Sequence, residues 1–230
     1  MICSDSVDKY LEEHQDKIVG VFCIGAHHGQ EFSGFRNIGV KNFILFEPIP
    51  EHYNTLEKNM RMSEYDPLGR DGMNRDIRYR IENVALGSCD AEKVMYISSN
   101  EGQSSSILKP LLHTEIYPGV EFNGEVVVKQ TSMDKYIAEN NVNIVDFNCM
   151  MIDVQGYELE VFKGATNTLK NIDYIITEIN NIELYEGCAI VDELDKFLGT
   201  FRFERVLTSM VDDDSWGNAI YIKKNNKLPI

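Results

Sequence analysis

The 230-residue sequence predicts an α/β chain built on a mostly parallel, doubly wound sheet that closes in an antiparallel hairpin. Three observations carry this. Apolar, strand-like runs alternate with amphipathic, helix-like stretches along most of the chain. The first runs, "KIVGVFCIG" and "KNFILFEP", are continuously apolar, as strands covered on both faces require. The last two strand-like runs are separated only by the acidic turn "VDDDSWGN", which is too short for a helical crossover, so they must pair antiparallel.

Taken in order, Ser4 to about Gln15 reads as a helix, with "VDKYLEEH" placing apolar residues at helical spacing. "KIVGVFCIG" is a strand ending at Gly25, and "QEFSGFRNIG" a helix closing at Gly39. "KNFILFEP" is a strand stopped by Pro48. "PEHYNTLEKNMRM" is a helix with His52, Leu56 and Asn59 at helical spacing, and "RYRIENVALGS" is a third strand. The strands "EKVMYISS" and "GEVVVKQTS" flank the polar loop "NEGQSSSILKP" with no helix between them, which predicts a hairpin-type lid insertion over about 88–130. "SMDKYIAEN" is a short helix with Asp134 near its start. The strand "VDFNCMMIDV", the helix "GYELEVFKGATNTLKN", the strand "IDYIITEIN" and the helix "AIVDELDKFLGTF" resume the alternation. "FERVLTSM" and "GNAIYIKK" form the closing pair, and the whole of 1–230, including an N-terminal helix within 1–16, reads as one domain.

With 43% hydrophobic residues the chain can bury a sizeable core. A net charge of −15 opposes nucleic-acid binding. Arg70, Arg75, Arg78 and Arg80 are a local exception, and read either as a solvated surface or as a site for a phosphorylated small molecule. The five cysteines are scattered without a CxxC pair, so neither a zinc site nor a disulfide framework is indicated, and a reducing, cytoplasmic setting fits. Cys23 and Cys149 sit in apolar runs as expected buried thiols. The acidic start of the chain does not read as a signal peptide, and no run approaches the roughly 20 apolar residues of a membrane span.

In doubly wound sheets ligands bind beyond the carboxyl ends of the strands. The first such end carries Gly25-Ala26-His27-His28-Gly29, spaced G-x-x-x-G. It lacks the second glycine of the pyrophosphate fingerprint, which turns the reading away from a nicotinamide dinucleotide. Strand two ends in Glu47, about 20 residues on, where a carboxylate accepts ribose hydroxyls; a simple turn residue is the rival reading. At strand three, Asn83 can meet an adenine edge while Val84 and Ala85 pack on the ring or serve as ordinary core. Strand four ends in Asp153-Val154-Gln155-Gly156-Tyr157-Glu158, and strand five in Glu178 followed by Asn180 and Asn181. Burying such acids without partners would cost several kcal/mol, so they should face a ligand or water. A seven-stranded, mostly parallel sheet with an antiparallel C-terminal hairpin is the outline of the Rossmann-like class I methyltransferase fold, though a fold alone does not establish an activity.

The segments "FCIGAHHGQEF", "ILFEPIPEHYNTLEKN", "ENVALGSCDAEKVMYISSNEGQSSSILKP", "TSMDKYI", "MMIDVQGYELEVFKGA" and "IDYIITEINNIELYEG" together resemble the FkbM family of S-adenosylmethionine-dependent O-methyltransferases. The resemblance runs from about Val21 to Gly187, and "WGNAIYIKK" is similar to the family's final strand. It implies cofactor contacts at Gly25, Ala26, His27, Gly29, Glu31, Glu47, Pro48 and Asp153, with Asn83, Val84 and Ala85 near the adenine. It implies that Gly102 to Ser106 overlies the site, with Ser104 on the cofactor. Ser105, Gln155, Glu158, Asn180 and Tyr185 are then expected on the acceptor side. Asp153 is the expected catalytic base, with Glu178 or His28 next. The acceptor implied is a hydroxyl of a sugar, glycan or other small molecule. Two departures stand out: Cys23 where similar loops carry Asp, and His27 where they carry Asn. They keep a degenerate scaffold or binding module as an alternative, beside a less favoured NAD-dependent oxidoreductase. His27 and His28 read as loop residues rather than metal ligands, and the spacing leaves open both a cation between Asp153 and Glu178 and a homodimer.

Overall fold

The computed structural model describes residues 5–14, 17–64, 77–211 and 213–224. Helix α1 (Asp5–Glu13) leads into β1 (Gly20–Ile24), α2 (Phe32–Asn37), β2 (Asn42–Phe46), α3 (Pro50–Glu64) and β3 (Arg78–Glu82). A middle region follows, with β4 (Ala85–Leu86), β5 (Ala91–Ser98), α4 (His113–Ile116) and β6 (Phe122–Thr131). The alternation resumes with α5 (Met133–Glu139), β7 (Cys149–Ile152), α6 (Glu158–Lys163), β8 (Tyr174–Asn180) and α7 (Val191–Thr200), and closes in β9 (Phe203–Met210) and β10 (Trp216–Lys223).

Seven strands form one sheet in the order β3-β2-β1-β7-β8-β10-β9. The strands from β3 to β8 run parallel, and β10 lies antiparallel between β8 and β9. Every residue of β1 is buried, because helices cover both faces of the sheet. On one face Phe22, Ile24, Phe46 and Ile152 pack with Val161, Phe162, Leu194 and Leu198 from α6 and α7. On the other, Val21, Cys23, Leu45 and Met151 meet Phe35 of α2 and Leu56 and Met60 of α3. Each large apolar side chain so covered contributes about 1.5–3 kcal/mol. Among the described residues no helix is long and apolar enough to cross a membrane.

The sequence reading differs from the structure in three places. The run expected as one strand over 78–88 divides at Asn83–Val84. Its second half, β4, leaves the main sheet and pairs parallel with β6 in a second sheet ordered β4-β6-β5. β5 and β6 are antiparallel, as a hairpin requires, but the connection between them holds the unanticipated helix α4. The helix expected over 156–171 ends at Lys163, and Gly164 packs against Gly87 where a Cβ would stand 1.9 Å from the carbonyl oxygen, so only glycine fits there. Of the arginine cluster, Arg70 and Arg75 lie outside the described residues, while Arg78 and Arg80 are exposed on β3 at the sheet edge.

Candidate active site

The order of strands reverses between β1 and β7, and a crevice opens above their carboxyl ends and that of β2. It holds about 800 Å³ of empty space. The turn after β1 forms one wall. Gly25 takes φ +80°, and a Cβ there would stand 1.8 Å from the Asp153 carbonyl oxygen. Only glycine lets the two strand ends approach this closely. The amides of Gly25 and Ala26 both donate to the Phe46 carbonyl, at 3.0 and 2.9 Å. His27 is left-handed at φ +46°, and Gly29 has φ +85° with Leu56 beneath it.

Glu47 holds this turn in place. Its Oε2 accepts the His27 amide and its Oε1 the Ile49 amide, each at 2.8 Å. The residue is 3% exposed. Burial pushes its pKa up to about 7 despite the two amides. A carboxylate so deprived of water favours further donors, and ribose hydroxyls are donors of that kind. Pro48, Val84 and Ala85 also line the crevice, with Ile49, Met95 and Ile107 extending an apolar slot suited to a purine ring. Asn83 is placed differently from expectation. It is exposed, and its amide donates to the carbonyls of Glu47 and Pro48 at 2.9 and 3.0 Å, fixing the β2–α3 turn.

The serine segment over the crevice is stapled rather than loose. The Ser106 hydroxyl donates to the Gln155 carbonyl at 2.7 Å and accepts the Leu108 amide at 3.0 Å. The Ser98 hydroxyl accepts the Ser104 amide at 3.0 Å, and the Ser105 hydroxyl accepts the Ser98 amide at 3.1 Å. Gly102, Gln103 and Ser105 face the crevice.

Asp153 and Gln155 close the far side. Gln155, left-handed at φ +54°, donates from Nε2 to Asp153 Oδ1 at 2.7 Å and to Glu178 Oε2 at 2.8 Å. Burial, then the charges of Asp153 and Glu158, push the Glu178 pKa well above the usual carboxylate range. Glu158 is 1% exposed and accepts the amides of Val154 and Gly156, a bracing role inside the turn; burial raises its pKa to about 7. Asn180 is wholly buried, with neither amide atom hydrogen-bonded, and Asn218, opposite Glu178 on β10, has an unbonded Oδ1. Such orphaned polar atoms call for water or a ligand group. Glu31 lines the crevice and lies close enough to Cys23 to act on it. Cys23 itself is a core thiol, its pKa raised well above the ordinary value mainly by burial.

His27 and His28 stack at 3.8 Å between ring centroids, and His52 of α3 meets both edge-on at 4.5 and 5.1 Å. His27 Nε2 lies 2.8 Å from the Glu101 carbonyl and Nδ1 lies 2.8 Å from Gln30 Nε2, a pairing that puts the ring proton on Nε2. His52 Nδ1 is 4.0 Å from Glu47 Oε1. Burial, then the neighbouring His27 and His28, lower the His52 pKa to about 4, so the ring is neutral and the contact is not an ion pair at pH 7. The His28 pKa is lowered too, by burial first. Sequence reading had placed His52 only on a helix face. The one hint was its spacing with Leu56 and Asn59; Leu56 packs under Gly29, and Asn59 donates to the His28 carbonyl at 2.9 Å.

Comparison with known proteins identifies the family and the fold. The family described as the methyltransferase FkbM domain matches residues 24–206. The 2-O-methyltransferase NoeI of Sinorhizobium fredii is 29% identical over 193 residues, covering 79% of this chain and 73% of that protein. The hexuronic acid methyltransferase AglP of Haloferax volcanii is 28% identical over 177 residues, covering 76% of this chain but only 60% of its own length. Among solved structures, magnesium protoporphyrin IX methyltransferase from Synechocystis with bound S-adenosylmethionine superposes with a TM-score of 0.53 at 9% identity, over 96% of this chain and 77% of its own. The Bacillus cereus O-methyltransferase with S-adenosylhomocysteine gives 0.51 at 13% identity, over 96% and 82%. At these identities the two structures speak for the fold.

Proposed function

The chain belongs to the FkbM methyltransferase family, and from that premise we propose that it methylates a hydroxyl of a sugar or glycan. S-adenosylmethionine is the methyl donor of the family, and when bound it supplies an electrophilic methyl group on a sulfonium. The crevice fits it: an apolar slot at Ile49, Val84 and Ala85, the buried Glu47 carboxylate for hydroxyl donors, and acids at the far end to suit positive charge. Family membership removes the nicotinamide oxidoreductase alternative.

The observation that carries the chemistry is the Gln155 bridge between Asp153 and Glu178. In-line displacement needs the acceptor oxygen opposite the breaking carbon–sulfur bond, and positioning supplies much of the acceleration. As the oxygen–carbon bond forms, the hydroxyl loses its proton. Asp153 is the base in this reading, its oxygen fixed by the Gln155 amide. The buried Asn180 amide, with neither atom hydrogen-bonded, offers a donor and an acceptor, and Ser105 lines the crevice. The relatives named as a 2-O-methyltransferase and a hexuronic acid methyltransferase support a sugar acceptor. Buried free thiols at Cys23, Cys149 and Cys188 support a reducing, cytoplasmic setting.

Label transfer from methyl-labelled S-adenosylmethionine tests this, using oligosaccharides, nucleotide sugars and uronic acids beside catechol, peptide and RNA. Label appearing on a sugar oxygen is expected. Label confined to the non-sugar acceptors, or no transfer while S-adenosylhomocysteine raises the melting temperature, would overturn the sugar assignment.

A further inference from the structure

We propose that His27, His28 and His52 form a binding site for a zinc-class divalent transition metal at the rim of the cofactor crevice. One ring nitrogen from each residue lies within 4.8 Å of one from each of the other two. Tetrahedral zinc with nitrogen ligands at about 2.0–2.1 Å holds those nitrogens about 3.3 Å apart, so side-chain rotation closes the set. The backbone beneath is already fixed. His27 and His28 sit on the turn that Glu47 and Phe46 hold, and Asn59 of α3 donates to the His28 carbonyl. His52 stands on α3 itself.

The chemistry of the donors favours a metal. His52 Nδ1 is buried without a hydrogen-bond partner, although the residue is only 9% exposed. The His27 Nε2–H donates to the Glu101 backbone carbonyl at 2.8 Å. Such a bond orients a metal-binding imidazole and leaves the opposite nitrogen to the ion. That nitrogen, Nδ1, now receives only the Gln30 amide, a flexible side chain that can turn aside. Three imidazoles suit zinc, cobalt, nickel or copper, whereas magnesium and calcium take oxygen ligands.

The site would join three pieces of chain at one point. The β1–α2 turn gives two ligands and α3 the third. The serine segment is tied through the Glu101 carbonyl and through Gly102, where a Cβ would stand 2.1 Å from His52 Cε1. A metal here therefore holds the crevice mouth in its closed arrangement. Three protein ligands leave a fourth position for water or a crevice ligand.

The test is equilibrium titration of chelator-treated protein with Co²⁺ and Zn²⁺, needing neither cofactor nor acceptor. One equivalent per chain is expected, with the visible Co²⁺ absorption of a four-coordinate site and no response to Mg²⁺. His28→Ala and His52→Ala should each weaken binding by about tenfold or more. His14→Gln and Cys89→Ser, which alter other candidate ligands, should leave it unchanged. His28 lies outside the crevice lining, so His28→Ala tests the site even if His52→Ala fails to fold. Absence of stoichiometric binding, binding unchanged in His28→Ala, or binding lost in His14→Gln or Cys89→Ser would overturn the proposal.

Discussion

The hydroxyl of Tyr185 stands 3.0 Å from Oε1 of Gln155 and, being a donor there, decides which way that amide faces. Its one proton is shared with the Ser104 carbonyl, also at 3.0 Å, so the same buried group ties the serine segment to the Gln155 bridge. With Oε1 engaged, Nε2 must point at Asp153 and Glu178. Tyr185→Phe should free the amide and lower kcat about tenfold, equal to about 1.4 kcal/mol, with a stability loss of about 1 kcal/mol. Steady-state kinetics should show kcat falling while the KM for S-adenosylmethionine changes little. An unchanged kcat would remove Gln155 from the catalytic arrangement.

Glu47 gives the protein a pH signature. Its folded pKa, about 7, lies above the ordinary 4.5. The stability it contributes is therefore fully present below about pH 4.5 and is lost as pH rises through 7, by about 3 kcal/mol in all. His52, held down to about 4, acts in the opposite sense between about 4 and 6.5. The difference between Glu47→Gln and the parent isolates the carboxyl. The variant's melting temperature should gain on the parent's as pH goes from 5 to 8. S-adenosylhomocysteine, donating hydroxyls to the carboxylate, should stabilise the parent more at pH 8 than at pH 5. A constant difference between the two curves would refute the assignment.

Gly25 has no room for a side chain. With φ +80° and a Cβ 1.8 Å from the Asp153 carbonyl, Gly25→Ala must part β1 from β7. A loss of about 3 kcal/mol or more is expected in urea unfolding. Any protein that still folds should bind S-adenosylhomocysteine far more weakly.

Asp134 offers the contrasting case. Its Oδ1 accepts the Thr168 amide at 2.8 Å and hydroxyl at 2.7 Å, and Oδ2 accepts the Asn167 amide at 2.8 Å. It braces the segment after α6, away from the crevice lining. Asp134→Ala should cost about 1–2 kcal/mol and leave kcat unchanged. A matching fall in kcat would connect this brace to the site.

The strand–helix order was legible because buried parallel strands must be apolar throughout, and the closing hairpin because the short turn between the last two strands cannot hold a crossover. The divided third strand was not, since "RYRIENVALGS" has strand character on both sides of Asn83 and periodicity does not say which sheet a strand joins. The helix expected to continue to residue 171 ends at Lys163, ahead of the close approach of Gly164 to Gly87, a tertiary contact that periodicity does not show. Gly25, Glu47 and Asp153, singled out by their places at strand ends, all line the crevice. His52 could not be singled out in this way, because 24 residues separate it from His28 and only the fold brings the rings to 5.1 Å. Glu158 and Asn83 were assigned ligand-facing places by their neighbours in sequence, yet the backbone groups nearby take up Glu158 Oε1 and Asn83 Nδ2.

The position of β10 governs when this protein can become itself during synthesis. β9 pairs in the sheet only with β10, and β10 also closes the open side of β8, setting Asn218 opposite Glu178. A nascent chain that has released everything through β9 still exposes one edge of β8 and has no partner for β9. Such edges invite pairing with other chains. The acidic end of the crevice is therefore finished only after Trp216–Lys223 has left the ribosome.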